Sequence, residues 1–112
     1  MNRDIRIYLE DIYESIRLIK KYTKGISEKE FSTNPEIQDA VIRRLEIIGE
    51  ATKHIPNGIR DQFPDIPWRE IAVMRDVLTH EYFSLDIRRI WSTIQKDIPK
   101  LEQRIKAIIK AR

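Results

Sequence analysis

The chain has no cysteine, which excludes a disulfide scaffold, thiolate catalysis and any thiolate metal site. It has only two histidines, His54 and His80. They are distant in sequence and neither sits in an HExxH-like pattern, so no metal site and no cofactor is expected. No apolar run reaches the roughly 18 residues of a membrane span. The opening MNRDIRIYLEDIYE carries acids where a signal peptide needs an apolar core. These absences point to a soluble cytoplasmic protein with no membrane association. Long single-sign charge blocks are missing too, and the apolar fraction is ordinary, so disorder is not expected. The 112 residues suit one domain, 1–112, with a single core.

The excess of basic over acidic side chains is only three, but it is uneven. Residues 85–112 carry eight basic and three acidic side chains. A basic tail helix could meet phosphate. The plainer reading, a solvated helix with a cationic C-terminal end favoured by the helix dipole, is preferred on this feature alone.

Helical periodicity dominates. Ile5, Leu9, Ile12, Ile16, Ile19 and Thr23 alternate at spacings of four and three, which predicts a first helix from Asn2 to Lys24, with Gly25 as its stop. Tyr8 and Tyr22 widen its apolar stripe. Ser27-Glu28-Lys29-Glu30 has capping-box spacing for a short turn of helix before Thr33. Asn34-Pro35 is a stronger start signal, opening a second helix that carries Ile37, Val41, Leu45, Ile48 and Ala51 and ends near His54. Gly49, on a second stripe with Ile42, is costly inside a helix unless something approaches closely. That face is expected to pack on another helix or another chain.

Pro56, Asn57, Gly58, Pro64 and Pro67 then mark a long connection with one turn of helix around Ile59 to Phe63. Pro67 opens a third helix with Trp68, Ile71, Ala72, Met74 and Leu78 facing inward. Ser84 or Asp86 caps a fourth, which Pro99 kinks or splits near Asp97. No strand pattern or repeat is present. The expected fold is all-α: a small antiparallel bundle of four main helices with a kinked C-terminal helix.

One stretch concentrates chemistry: Arg75-Asp76-Val77-Leu78-Thr79-His80-Glu81-Tyr82. Histidine can take or return a proton near neutral pH, and arginine holds phosphate oxygens and stabilises their charge. An RNA 2′-hydroxyl beside its own phosphate supplies an internal nucleophile, so such a site needs no metal. Geometry restricts it. On an uninterrupted helix Arg75 and His80 diverge by about 140° and cannot address one phosphate. Either the helix breaks between Leu78 and His80, or a second copy of the chain completes the site. On spacing alone the plainer readings are favoured: His80 as a helix-end packing residue, Arg75 in a surface ion pair with Asp76. Glu46 and Glu50 could support the site or simply face solvent, the latter being favoured. Lys53 and His54 stay open.

The motif arginine, four residues, histidine, one residue, tyrosine resembles that of HEPN-domain proteins of the HepT-like ribonuclease family. The segments from Ile48 to Pro56, Phe63 to Asp76 and Glu81 to Trp91 look like family sequence as well. The resemblance implies a helical homodimer whose two Arg/His motifs meet in an interface cleft, acting as a metal-independent endoribonuclease toxin on RNA. Arg75 would bind and stabilise the scissile phosphate, His80 would be general acid or base, and Asp76 would orient one of them. Tyr82 would receive AMP from a cognate minimal nucleotidyltransferase antitoxin, which silences the toxin. Thr79 stands where an aliphatic residue is expected, and Ser84 where glycine is common. Two other readings remain beside the ribonuclease: a non-catalytic RNA- or nucleotide-binding partner subunit of a nucleotidyltransferase, and a purely structural dimeric bundle.

Overall fold

A computed structural model describes residues 4–80 and 86–111. Among these every regular element is a helix, and most begin at a cap that the sequence spells out. The Asp4 carboxylate accepts the Arg6 N–H at 2.9 Å and starts α1, Ile5–Thr23. The helix is therefore shorter than the expected span from Asn2 to Lys24, and Asn2 lies outside the described residues. Leu9, Ile12, Ile16 and Ile19 are fully buried along one stripe. Gly25 follows with φ 77°, the left-handed conformation its lack of a side chain permits. Ser27 and Glu30 cap each other reciprocally to open α2, Glu28–Ser32. This short helix delivers Phe31 to the core, 5.3 Å from the Trp91 ring.

The Asn34 side chain accepts the Ile37 N–H at 3.2 Å and Pro35 takes the first position of α3, Pro35–Thr52. The helix stops two residues before His54, where Arg60 of the next element meets its C-terminal end. The Arg60 guanidinium donates to the Thr52 and Ile55 carbonyl oxygens, each at 2.7 Å. Arg60 belongs to the short α4, Asn57–Arg60, and its guanidinium lies 5.8 Å from the Trp68 ring centroid. The Trp68 indole N–H in turn donates to the Phe63 carbonyl at 3.1 Å. The proline-rich connection is thus pinned at both ends before α5, Trp68–His80.

Asp86 caps α6, Ile87–Ser92, through the Arg88 N–H; Ser84, the other candidate, lies outside the described residues. A π-helical turn over Thr93–Asp97 joins α6 to α7, Ile98–Ala111. Pro99 has no N–H to give the preceding turn, and the helix widens where that bond would fall. The Ile98 N–H bonds back to Thr93, five residues earlier. The expected break near Asp97 takes this form.

α3 is the central helix, packed against α1 on one side and α5 on the other, while α1 also meets α7. α5 is less enclosed than its sequence pattern suggests. Trp68 and Leu78 are buried, but Ile71, Ala72 and Met74 are only partly covered, and Val73 and Val77 are exposed. The reason is a groove of about 870 Å³ between α5 and the α6–α7 arm, with Leu45 and Ile48 of α3 among its lining.

The α3–α5 contact depends on Gly49. A methyl group there would overlap the Cβ of Arg75 and stand 3.1 Å from the Ile71 carbonyl oxygen. Gly58 has nothing within 4 Å of the same position. One substitution should therefore act with opposite signs at the two sites. Gly49→Ala should destabilise by about 1–3 kcal/mol through overpacking, despite the better helix propensity of alanine. Gly58→Ala should stabilise by about 0.4–1 kcal/mol. Urea denaturation measures both, and a Gly49→Ala protein more stable than wild type would refute the close approach.

Candidate functional site

With its Cβ against Gly49, the Arg75 side chain has little choice of direction. It runs along α3, and its Nε lies 3.2 Å from the Glu50 carboxylate. Its Nη1 is 3.4 Å from Asp76, whose carboxylate also accepts from the Lys53 ammonium at 2.9 Å. Two carboxylates therefore bracket the guanidinium, one from α3 and one from α5 itself. Five N–H donors are more than these two contacts use, and the side chain keeps 31 % of its surface exposed. Arg75 is held and still has donors to offer a phosphate. Ion pairs this exposed contribute at most about 1 kcal/mol each. They orient the arginine, while the helix packing places it.

The Asp76 carboxyl is held below the usual aspartate range, chiefly by the hydrogen bond from Lys53, with Arg75 adding to it. Both carboxylate oxygens of Glu50 face cations or potential cations. Beyond Arg75, His54 Nε2 lies 3.7 Å away. His54 itself stacks flat on Tyr8 of α1, ring centroids 4.5 Å apart and planes within 6°. These side chains surround a cavity of about 340 Å³ at the meeting of α1, α3 and α5, with Arg43 and Glu46 also on its wall. The Thr79 hydroxyl donates back to the Arg75 carbonyl at 2.9 Å, in the position where an aliphatic residue was expected.

Of the residues singled out in the sequence, Arg75, Asp76, Glu50, Lys53 and His54 come together. Glu50 touches Arg75 directly, although a solvated face was the favoured expectation for it. His80 does not join them. It is the exposed last residue of α5, and the helix runs unbroken from Arg75 to it. Taking Arg75 as zero, His80 lies about 140° around the helix, beside Val73 and Val77 at about 160° and 200°. Arg75 therefore faces α3, and His80 shares a face with the two exposed valines. Tyr82 lies outside the described residues. The Ile42/Gly49 stripe, a possible chain–chain contact by sequence, is covered at Gly49 by α5 of the same chain. Among the described residues no group of three His, Asp or Glu side chains could hold a metal ion.

Sequence reasoning missed two contributors. Tyr8 reads as a core residue of α1, and Arg43 carries no local signal at all. Neither has a spacing relation to the motif that could have revealed it.

Comparison with known proteins gives the family. The profile of the ribonuclease HepT-like family matches residues 12–108. A Thermococcus cleftensis protein named "Probable ribonuclease HepT" is 48 % identical over 110 residues, covering 98 % of this chain and 100 % of that protein. A Methanocaldococcus jannaschii protein, named as a gamma-glutamylcyclotransferase and a candidate RNase, is 50 % identical over 109 residues. The match takes 97 % of this chain but spans only 49 % of that longer relative. A candidate RNase of Caldanaerobacter subterraneus is 46 % identical over 104 residues, 93 % of each chain. No solved structure matches. The helical fold, the Arg75–His80 helix and these relatives agree: the chain belongs to the HepT-like ribonuclease family.

Proposed function

We propose that this protein is a metal-independent endoribonuclease that acts on RNA as a homodimer, with Arg75 of one copy and His80 of the other serving the same phosphate. The unbroken α5 carries this reading. It turns the two groups away from each other within one chain, so only a second chain can bring His80 to the arginine. The apolar pair Val73 and Val77 beside His80 supports the choice of that face as part of the contact.

In the proposed reaction the 2′-oxygen of the substrate attacks the adjacent phosphorus while the P–O5′ bond breaks. The products are a 2′,3′-cyclic phosphate and a 5′-hydroxyl. The 2′-hydroxyl loses a proton and the leaving 5′-oxygen gains one, and His80 serves one of these transfers. Arg75, oriented by Glu50 and Asp76, stabilises the charge on the non-bridging oxygens. The membership of the family and the RNase names of its relatives support the substrate class.

The same reading includes a toxin role in the cytoplasm and a cognate minimal nucleotidyltransferase antitoxin. The partner transfers AMP from ATP to the Tyr82 hydroxyl, releasing pyrophosphate. Tyr82 is two residues beyond His80, and a phosphodiester there would place negative charge where the RNA phosphate binds.

Wild-type protein should cleave RNA in excess EDTA and leave cyclic phosphate ends. His80→Ala and Arg75→Ala should each lower the rate by at least about 100-fold, the scale of losing an acid–base or charge-stabilising group. Full cleavage by either variant would sink the site assignment. RNA binding through Arg75 without cleavage by wild type would favour the non-catalytic partner subunit instead. Co-expression with the nucleotidyltransferase should add mass in AMP-sized steps that Tyr82→Phe abolishes; steps that persist in the variant place the modification elsewhere.

A further inference from the structure

The cavity beside Arg75 has a wall that phosphate binding leaves unused. Part of that wall is the Tyr8–His54 pair, stacked in parallel at 4.5 Å. His54 lies just past the end of α3 and keeps 47 % of its side chain exposed. Glu50 lies 3.7 Å from one edge and Tyr8 supports it from one face. An imidazole so placed is a flat, presented surface. The cavity volume, about 340 Å³, falls in the roughly 300–1,000 Å³ range of small-ligand sites.

We infer that this pair is a stacking platform for one unpaired base of the RNA, next to the phosphate that Arg75 holds. The inference rests on the ribonuclease reading above and names a subsite within it. The flat aromatic pair is what favours a base over a second phosphate here. Asp11, Glu46 and Glu50 line the cavity together with Arg43 and Arg75, so its wall offers acceptors as well as donors, and carboxylates readily accept the N–H donors of a base edge. Aromatic faces bind unpaired bases with little regard for sequence, and single-stranded RNA is the form that can offer them. Register follows from Glu50. The two oxygens of its one carboxylate face Arg75 and His54, so the platform and the phosphate-binding guanidinium are within a nucleotide's reach.

The test uses the His80→Ala protein, which binds RNA without cleaving it in this account. The probe is a short single-stranded oligoribonucleotide containing 2-aminopurine, whose fluorescence is quenched on stacking. Binding should quench it. Adding His54→Ala should weaken binding roughly tenfold, within the range for loss of one base–aromatic stack, and abolish the quenching. His54→Phe, which keeps a stacking face, should retain both. His54 is exposed and lies beyond the helix, so both variants should keep wild-type circular dichroism. Unchanged affinity and quenching in His54→Ala overturns the platform while leaving the ribonuclease reading in place. Equal losses in His54→Phe and His54→Ala also overturn it, since the imidazole would then act by hydrogen bonding. If wild type neither binds nor cleaves any RNA, both readings fall together.

Discussion

The close contact of α3 and α5 at Gly49 decides where Arg75, and with it the proposed site, is placed. Without a side chain at that position, α5 settles with the Cβ of Arg75 against the α3 backbone. The arginine is then delivered to Glu50, one residue along, and to Asp76 and Lys53 at the edge of the same contact. Packing at this point is worth kilocalories, whereas exposed ion pairs are worth a fraction of one. The carboxylates adjust the guanidinium, but the backbone approach is what makes their adjustment possible.

The same helix that fixes Arg75 commits His80 to the other side. α5 continues to His80 without a break, so the angular separation of the two groups is set by helix geometry. One chain thus carries half of a proposed site on its α3-facing side and the other half beside Val73 and Val77. A symmetric dimer would turn this from a defect into a design, because two-fold symmetry makes each copy supply what the other lacks. Activity would then depend on assembly, and modification near His80 could act on the neighbouring chain as well as its own.

Much of the frame is legible in the sequence, for local reasons. The Asn34-Pro35 start, the Ser27/Glu30 capping box and the break near Asp97 arise from residues acting on their own turn. Gly49 could be read as a close approach because glycine is costly in a helix otherwise. The site is legible only in part. The motif names Arg75 and His80, and helix geometry shows that they diverge. What pairs with what depends on distant contacts that leave no periodic trace: Glu50 with Arg75, Tyr8 with His54, Arg60 with the end of α3. Local patterns also overstate the enclosure of α5, since its apolar stripe borders a groove as well as the core. The proposed roles of His80 and Tyr82 rest on the family resemblance, since spacing does not suggest them.

The central claim is that the site is shared between two chains, and complementation tests it most directly. Inactive Arg75→Ala and His80→Ala proteins are mixed, allowed to exchange subunits and assayed on RNA. A shared site predicts that each mixed dimer regains one intact Arg75–His80 pair. An equal mixture should then recover about a quarter of wild-type activity, given random exchange and two sites per symmetric dimer. If subunit exchange is verified and the mixture stays as inactive as its components, the arginine and histidine must act within one chain, and the account is wrong.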